Sequence, residues 1–531
     1  MNLATLLAER AARHPLRPAL ITGVDASERV VTYAELETLT ARVAGGLRAR
    51  GIGRGDTVLV WVSMSVELYA LLLALFRLGA VAMLADPGAG EAVLTAACRR
   101  GRPKLIAAPG IAHLLRWRHA VLREIPLRLT VGGWFPGNIA WEKLAAADPV
   151  RECVATDADS PALLTFTSGS TGAPKAAMRS HGFLLAQHEA IRSAIGLTEG
   201  EVDLSTLPVF VLANLASGMT SLIPAGNLRR PGAVDPAPIA RQIARHRPTR
   251  GGASPAFFLR LAEGGVRWPG CERLYTGGAP VFPRYFERFK ALAPHAGVTL
   301  VYGSTEAEPI AECRAESLSP EDLASMRAGR GLVAGIPCPE TRVRILDTKA
   351  ADAARGATDA AGLDAMTLPP GAEGEIAVAG PQVLRGYLDG EGDAETKLRV
   401  GGDVWHRTGD CGRFDAQGRL VLLGRCSATV RDAAGRRFHP FAIEAAAMEI
   451  PGVRRAAFLL ENGKRVLVVE PENGGPDPRS LAPLDAMGVE ACVTLDRIPT
   501  DRRHNAKVEY PELRRLLKRA RPLGRAPAFR G

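Results

Sequence analysis

Hydrophobic positions alternate between helical and strand-like spacing over roughly the first 310 residues. Thr32 and Glu35 have the spacing of a capping box, and the apolar residues after them keep to one helical face: Leu36, Leu39, Val43 and Leu47. The continuous apolar run at residues 57–62 predicts a buried parallel strand. Residues 68–84 are apolar but broken by an arginine and a glycine, which predicts a buried helix followed by a strand rather than a membrane span. The alternation predicts an α/β fold, with a large layered core in which helices cover parallel sheets.

The pattern changes in the second half of the chain. Residues 350–371 are rich in Ala, Gly, Asp and Pro without hydrophobic periodicity, so they predict an exposed loop or insertion. Glycine-bounded apolar runs at residues 374–380 and 418–424 predict short strands of a β-rich subdomain. Mixed strand and helix patterns follow. We therefore predict a core domain over residues 1–426 and a small, mobile α+β domain over residues 427–531.

Composition narrows the class of protein. The 531 residues exceed the size of one hydrophobic core, and 47% hydrophobic with 23% charged residues is typical of a globular protein rather than a disordered or fibrous one. The formal charge of +11 suits anionic partners such as ATP, a thiol carrier or a membrane surface. Eight cysteines occur singly without a CxxC pair, which predicts neither a disulfide framework nor a zinc site. We expect a cytoplasmic protein with no signal peptide, no transmembrane segment and no nucleic-acid partner.

A loop rich in glycine and hydroxyl residues follows the apolar run at residues 163–167 and ends on a lysine. Glycines let backbone N–H groups approach anionic oxygens, hydroxyls add donors, and the lysine adds a positive charge. The spacing differs from that of the Walker loop, which disfavours a P-loop NTPase. For this loop alone, a flexible linker is the alternative. The predicted phosphate-binding residues are Thr167, Ser168, Gly169, Ser170, Thr171, Gly172 and Lys175.

Further motifs follow the loop in order: Gly277-Gly-Ala-Pro280, Tyr302-Gly-Ser-Thr-Glu306, Trp405-His-Arg-Thr-Gly-Asp410 with Gly424-Arg425, and Asp501-Arg-Arg-His-Asn-Ala-Lys507. Together they resemble the adenylate-forming (AMP-binding) superfamily of acyl-CoA synthetases, peptide-synthetase adenylation domains and luciferases. The resemblance covers nearly the whole chain, and the order of the motifs makes it more specific than any single motif. It implies an enzyme that uses ATP and Mg²⁺ to convert a carboxylic acid into an acyl adenylate.

The resemblance also assigns residues. The adenine-contacting turn would consist of Gly277, Gly278, Ala279 and Pro280. Tyr302 beside Gly303 would stack on adenine, Asp410 would accept from the ribose hydroxyls, and Arg425 would support ribose or phosphate. The catalytic residues would be Thr305 on the α-phosphate, Glu306 as the Mg²⁺ ligand, and Lys507 bridging the carboxylate and the α-phosphate. For each motif taken alone, an ordinary turn or a solvated charge is the alternative.

The chain departs from the family pattern near its end. Ala428 stands where the family carries an aspartate or lysine hinge, and one residue is inserted before Gly435, in a loop that often lines the pantetheine channel of CoA-using members. The family's usual Ser-Gly-Lys ending is replaced by His504-Asn-Ala-Lys507. This ending resembles the β-lactone synthetases of bacterial olefin biosynthesis, as do residues 85–90, 207–210 and 302–309. In that branch a β-hydroxyl attacks its own activated carbonyl, and no CoA is needed.

The substrate and the second step stay open at this point. Residues 208–218 and 254–258 are apolar and are either part of an acyl pocket or ordinary core strands. No aspartate there would hold an α-ammonium, which favours a fatty or 3-hydroxy fatty acid over an amino acid. Transfer of the acyl group to CoA is the alternative second step, with a thiol carrier or upstream pathway enzymes as possible partners. A non-catalytic nucleotide-binding relative is the alternative of another class.

Overall fold

The computed structural model describes residues 2–88, 90–167, 175–432, 434–472, 474–500 and 508–518. Within these ranges the strands are β1 (Pro18–Thr22), β2 (Arg29–Thr32), β3 (Thr57–Val60), β4 (Val81–Leu84), β5 (Leu105–Ala108), β6 (Leu127–Thr130), β7 (Ile139–Ala140), β8 (Pro161–Thr167), β9 (Lys175–Ser180), β10 (Val202–Ser205), β11 (Thr220–Leu222), β12 (Arg250–Ala253), β13 (Arg273–Gly277), β14 (Gly297–Ser304), β15 (Ala307–Arg314), β16 (Leu332–Pro337), β17 (Arg342–Leu346), β18 (Gly374–Ala379), β19 (Lys397–Val400), β20 (Asp403–Phe414), β21 (Leu420–Arg425), β22 (Val430–Arg431), β23 (Arg437–Phe438), β24 (Val453–Glu461), β25 (Lys464–Pro471) and β26 (Ala491–Thr494). The helices of the same ranges are α1 (Ala4–Arg13), α2 (Tyr33–Arg48), α3 (Val66–Arg77), α4 (Glu91–Gly101), α5 (Leu115–Arg118), α6 (Ala120–Arg123), α7 (Trp141–Ala145), α8 (His181–Ile195), α9 (Pro208–Ala216), α10 (Pro236–His246), α11 (Pro255–Glu263), α12 (Arg284–Leu292), α13 (Pro320–Arg327), α14 (Thr348–Ala353), α15 (Ala360–Met366), α16 (Asp393–Thr396), α17 (Pro440–Met448) and α18 (Tyr510–Leu517).

Two large sheets carry the layered core. The first has the order β7-β6-β5-β3-β4-β8-β9 and is parallel except for the β8–β9 pair. The second has the order β17-β18-β20-β21-β16-β15-β14-β13-β12-β10-β11-β1-β2, with β19 beside β20. The neighbouring strands β10, β12, β13 and β14 are parallel. From β14 the sheet continues through β15, β16, β21 and β20, and each of these pairs is antiparallel. The predicted α/β core with a β-rich subdomain is confirmed.

Local sequence signals account for the first elements. Thr32 caps α2: its hydroxyl accepts from the Glu35 N–H, while the Glu35 carboxylate accepts from the Thr32 N–H over 2.8 Å. Residues 68–84 form α3 and β4, as predicted. The arginine inside this stretch, Arg77, is fully buried and forms an ion pair with Glu37 at 2.6 Å, which explains why a charge is tolerated there. In the described ranges, no helix is long and apolar enough to cross a membrane.

The structure corrects one part of the prediction of an exposed loop or insertion at residues 350–371: most of these residues are exposed or partly exposed, but the stretch contains helices rather than a continuous loop. This stretch contains the end of α14 and the whole of α15, which begin with side-chain caps from Asp347 and Asp359. Ala351, Leu363 and Met366 are buried and pack with β18, β19 and β20 in one apolar cluster. Helices of one to two turns are too short to show a helical period, so a composition rich in Ala and Gly was misleading.

The carboxy-terminal part adds a separate sheet. β24, β25 and β26 pair only with each other within the described residues, and α17 packs against β24 and β21. Buried apolar side chains continue from Val421 of β21 through Phe438 to Ile443 of α17. The boundary after residue 426 and the mobility of this part stay predictions.

Candidate active site

The predicted phosphate loop connects two paired strands. β8 ends at Thr167 and β9 begins at Lys175, and these two residues face each other in the antiparallel ladder. Lys175 is partly buried, and its Nζ lies 5.5 Å from the ring centroid of Tyr387. The intervening predicted residues lie outside the described ranges: Ser168, Gly169, Ser170, Thr171 and Gly172. Lys507 also lies outside them, although Thr500 and Val508, which flank its segment, form an antiparallel bridge.

The predicted ribose site is assembled across two strands. Asp410 of β20 faces Arg425 of β21 in the ladder, and Arg425 Nη1 donates to Asp410 Oδ1 over 2.9 Å. The Tyr302 hydroxyl donates to Asp410 Oδ2 over 2.8 Å. Burial and the neighbouring Asp410 carboxylate raise the pKa of Tyr302, so it stays a donor. Each carboxylate oxygen keeps a further lone pair, so Asp410 can still accept from two ribose hydroxyls.

The predicted adenine turn begins where β13 ends. Gly277 pairs with Val301 of the parallel neighbour β14, which places Gly278 beside Tyr302. A Cβ on Gly277 would lie 2.3 Å from the Val301 carbonyl oxygen, and Gly278 has a φ of +76°. Both positions therefore require glycine, for close packing in one case and backbone conformation in the other. A Cβ on Gly303 would lie 3.1 Å from the Ala307 carbonyl oxygen, and Ala279 and Pro280 are partly exposed.

Thr305 and Glu306 form the turn between β14 and β15. The Thr305 carbonyl accepts from Arg179 Nη2 over 2.9 Å, so the strand that begins with the phosphate-loop lysine also holds this turn. The Glu306 carbonyl accepts from the Leu384 N–H over 2.7 Å. Glu306 Oε1 accepts from the Tyr387 hydroxyl over 2.8 Å. Backbone and side chain of Glu306 are thus both held in place, as a metal ligand requires.

Three residues behind Glu306 were missed from the sequence: Tyr387, Lys397 and His406. Lys397 is 1% exposed, and its Nζ donates to the Leu384 carbonyl over 2.5 Å and lies 5.4 Å from the Tyr387 ring centroid. His406 Nδ1 lies 3.2 Å from Lys397 Nζ and 3.1 Å from the Thr396 carbonyl. A neutral ring nitrogen either accepts or donates, so His406 makes one of these two bonds at a time. Nothing in the sequence around a single lysine or histidine signals such contacts.

This group sets the charge of the candidate metal ligand. Burial alone would raise the pKa of Glu306, but the basic groups of His406 and Lys397 and the hydrogen bond from Tyr387 outweigh it and hold the pKa below its usual range. Burial lowers the pKa of Lys397 to about 7. Burial and the Lys397 ammonium lower the pKa of His406 to about 3. Glu306 is therefore ionised at neutral pH although burial opposes its charge.

The donor set fits Mg²⁺ bound together with a nucleotide. Among the described residues, no group of three or more His, Cys, Asp or Glu side chains could hold a metal ion. Mg²⁺ usually takes one or two carboxylates and completes its shell with substrate phosphates and water. Glu306 is such a carboxylate, and Lys175 supplies positive charge for phosphates, so the residues present fit ATP with Mg²⁺.

The two apolar stretches considered for the acyl pocket are helices, which excludes the interpretation as core strands. α9 and α11 each begin with a proline in the first turn, Pro208 and Pro255. Phe210 of α9 packs in one apolar cluster with Tyr275 of β13 and Val301 of β14. Val301, a member of this cluster, directly precedes Tyr302 in the sequence. Phe257 and Phe258 of α11 are fully buried in another cluster.

Known proteins are similar to this chain in sequence and in fold. The family model of AMP-binding enzymes matches residues 7–388. An olefin beta-lactone synthetase of Stenotrophomonas maltophilia (strain K279a) is 33% identical over 95% of this chain and 94% of its own length. An olefin beta-lactone synthetase of Xanthomonas campestris pv. campestris is 32% identical over 92% of this chain and 91% of its own length. The crystal structure of ATP-bound MatB from Rhodopseudomonas palustris superposes with a TM-score of 0.79 at 24% identity, covering 98% of this chain and 99% of that one, which supports the fold.

Proposed function

We propose that this chain, which belongs to the AMP-binding enzyme family and is an ATP-dependent adenylate-forming ligase, makes a β-lactone. The substrate that we propose is a 2-alkyl-3-hydroxy fatty acid. The observation that carries the proposal is the 33% identity to an olefin beta-lactone synthetase over 95% of the chain. The apolar cluster from Phe210 to Val301 supports a hydrophobic substrate, because it leads to the candidate nucleotide site. The ending at Lys507 supports the lactone branch.

The first half-reaction joins substrate and nucleotide. The substrate carboxylate attacks the α-phosphorus of ATP, an acyl–phosphate bond forms, and pyrophosphate leaves. Two anions approach each other in this step, so positive charge must be placed between them. In this proposal Lys175 would neutralise charge on the phosphates and Lys507 would bridge the carboxylate and the α-phosphate. Glu306 would hold Mg²⁺, which would supply further positive charge. Asp410, Arg425 and Tyr302 orient the nucleoside.

The second half-reaction is intramolecular. The β-hydroxyl oxygen attacks the activated carbonyl, the bond between carbonyl carbon and AMP breaks, the hydroxyl proton is lost, and a four-membered lactone and AMP result. Attack within one bound molecule gains greatly from proximity, so the protein has to hold the hydroxyl near the carbonyl and exclude water. No CoA enters this sequence, in contrast to transfer of the acyl group to a thiol.

The test separates the two halves. The enzyme is mixed with ATP, Mg²⁺ and racemic 2-alkyl-3-hydroxy acid, with and without CoA, and AMP, pyrophosphate and lactone are measured. We expect lactone and AMP in equal amounts without CoA, and no stimulation by CoA. The matched 2-alkyl acid without the hydroxyl should support ATP–pyrophosphate exchange but give no lactone. Product formation that depends strictly on CoA would contradict the lactone step and favour the CoA ligase.

Lys507 tests whether the chain is catalytic at all. Lys507→Ala should lose most of its pyrophosphate exchange, because the charge that bridges the carboxylate and the α-phosphate is removed. The matched control is Lys518→Ala, a lysine beyond α18. If no acid supports exchange in the wild type, a non-catalytic relative is favoured. Equal exchange in wild type and Lys507→Ala would remove Lys507 from the mechanism.

A further inference from the structure

The exposed tryptophans of the chain occur together. Four of its six tryptophans are at most 7% exposed, namely Trp61, Trp141, Trp268 and Trp405. Trp117 and Trp134, in contrast, are 72% and 74% exposed, and Ile111 and Leu114 in the same stretch are 77% and 40% exposed. Large apolar side chains that cluster on a surface mark an interaction site, whereas single ones need no explanation. We call Ile111, Leu114, Trp117 and Trp134 the 111–134 patch.

Backbone geometry brings the patch together. Residues Gly110–Leu114 form a 3₁₀ helix that runs into α5, and in such a helix side chains three positions apart lie in one row. Ile111, Leu114 and Trp117 form the exposed row. The adjacent row packs on Phe135: the His113 ring lies 5.7 Å and the Arg116 guanidinium 5.3 Å from its ring centroid. The loop that carries Trp134 therefore lies directly beside the exposed row.

The segment that carries the patch is rich in positive charge. Residues 110–138 contain four arginines, Arg116, Arg118, Arg123 and Arg128, and one acidic residue, Glu124. Arg116 Nε donates to the His113 carbonyl and Arg128 Nη2 to the Arg123 carbonyl. In the part of the chain that the structure describes, none of the four has a carboxylate partner within 4.0 Å. The patch therefore combines apolar surface with uncompensated cations, which is complementary to an anionic, amphipathic partner.

The patch lies at the edge of the sheet at which β8 ends. Residues 110–118 follow the carboxyl end of β5, and residues 131–138 follow that of β6. β5 and β8 are parallel members of one sheet with β3 and β4 between them, and the phosphate loop follows the carboxyl end of β8. Three strand spacings of about 4.8 Å put the carboxyl ends of β5 and β8 about 14 Å apart along the sheet.

We propose that the 111–134 patch binds the surface of an anionic lipid bilayer. Tryptophan is suited to the headgroup level, because its ring is apolar and its N–H still bonds to polar groups. The arginines bind lipid phosphates, which attract basic segments on a membrane surface. A second copy of the chain would bring two basic patches together, which is unfavourable. If the proposed function holds, this surface brings the nucleotide site close to lipids from which a long-chain acid can be drawn, but the binding itself does not depend on that function.

Vesicle binding tests the proposal directly. Full-length protein is mixed with vesicles of phosphatidylcholine alone or of equal parts phosphatidylcholine and phosphatidylglycerol, and sedimentation and tryptophan fluorescence are recorded. We expect sedimentation and a shift of the emission to shorter wavelength with anionic vesicles only, both reversed by high salt. The shift comes from Trp117 and Trp134, because the other four tryptophans are already buried.

Two double variants identify the groups. Trp117→Ser with Trp134→Ser should lower the partition coefficient more than about tenfold, and Arg118→Gln with Arg123→Gln roughly 25-fold, which is about fivefold for each charge removed. Leu16→Ser and Ile336→Ser remove residues that are 84% and 52% exposed outside the patch and should bind like the wild type. All variants should retain pyrophosphate exchange with a soluble short-chain acid, which shows that they are folded.

Three results would overturn the proposal. If the wild-type protein does not sediment with anionic vesicles, it has no surface that binds an anionic bilayer. If the tryptophan and arginine variants bind anionic vesicles as well as the wild type, the 111–134 patch is not the membrane-binding surface. A lipid-free dimer that is lost in the tryptophan variant assigns the patch to contact between two copies of the chain.

Discussion

Replacing Tyr387 by Phe tests how the candidate metal ligand is held in its ionised form. The substitution removes the hydroxyl that donates to Glu306 Oε1 over 2.8 Å and keeps the ring that both Lys175 and Lys397 approach. Tyr387 is 6% exposed, so bulk water cannot readily replace the lost donor. A hydrogen bond to a charged group contributes about 1.5–3 kcal/mol, which is about one to two pKa units. The pKa of Glu306, held below its usual range in the wild type, should rise by that amount.

The sign follows from the form that binds metal. Glu306 coordinates Mg²⁺ only when ionised, so activity is lost as the pH falls through its pKa, and a higher pKa moves this loss to a higher pH. ATP–pyrophosphate exchange is measured against pH at fixed Mg²⁺. We expect the acid limb of kcat/KM for Tyr387→Phe to lie about one to two pH units above that of the wild type.

A second tyrosine provides the matched control. The hydroxyl of Tyr69 is fully buried and has no hydrogen-bond partner among the described residues, so Tyr69→Phe removes the same group without removing a contact. This variant should keep the wild-type pH profile. An unchanged acid limb in Tyr387→Phe, or a shift to lower pH, would refute the claim that Tyr387 stabilises the Glu306 carboxylate.

Three further substitutions test the structure, and urea unfolding at several pH values checks the first two. The pKa of Lys397 is lowered from 10.5 to about 7, so the unfolded state binds more protons between these values and stability rises with pH across that window. The free energy of unfolding of Lys397→Met should therefore be about 2–4 kcal/mol higher than that of the wild type near pH 7, and this difference should disappear towards pH 10. The variant should also catalyse pyrophosphate exchange more slowly. Burial raises the pKa of Glu444 from 4.5 to about 8, so between these pH values the native state binds more protons than the unfolded state and the free energy of unfolding falls as the pH rises. Glu444→Gln should remove this pH dependence. If the pH dependence persists in the variant, Glu444 is not its source. Gly277→Ala should cost about 1–3 kcal/mol and weaken ATP binding, because its Cβ meets the Val301 carbonyl, whereas Gly53→Ala has open space and should be neutral in calorimetry and exchange assays.

Hydrophobic periodicity and motif order predicted the features that depend on residues close together in the sequence. The capping box at Thr32, the helix and strand in residues 68–84, and the alternating elements of the parallel sheets are read from nearest neighbours along the chain. The match to AMP-binding enzymes over residues 7–388 confirms the predicted class of enzyme. Motif order also predicted that Tyr302, Asp410 and Arg425 belong together, and their hydrogen bonds agree with that grouping.

The errors and omissions have a common physical cause. In residues 350–371 and in α9 and α11, the elements are too short for a helical period to appear, although Asp347, Asp359, Pro208 and Pro255 stood as start signals. The contacts of Lys397 with Tyr387 and with His406 arise from the pairing of β19 with β20 and from the turn before α16, which are tertiary features. A single lysine in a strand pattern gives no indication of burial.

The central claim is that ATP converts the carboxylate into an acyl adenylate, whose carbonyl is then attacked by the substrate's own hydroxyl. Oxygen-18 in the substrate carboxylate tests this claim most directly. The enzyme is incubated with ATP, Mg²⁺ and labelled 2-alkyl-3-hydroxy acid in the absence of CoA, and AMP and lactone are analysed by mass spectrometry. Adenylation followed by intramolecular attack transfers one labelled oxygen to AMP and leaves the other in the lactone carbonyl, with the unlabelled hydroxyl oxygen in the ring. Unlabelled AMP, or a lactone that appears only when CoA is added, would contradict the account.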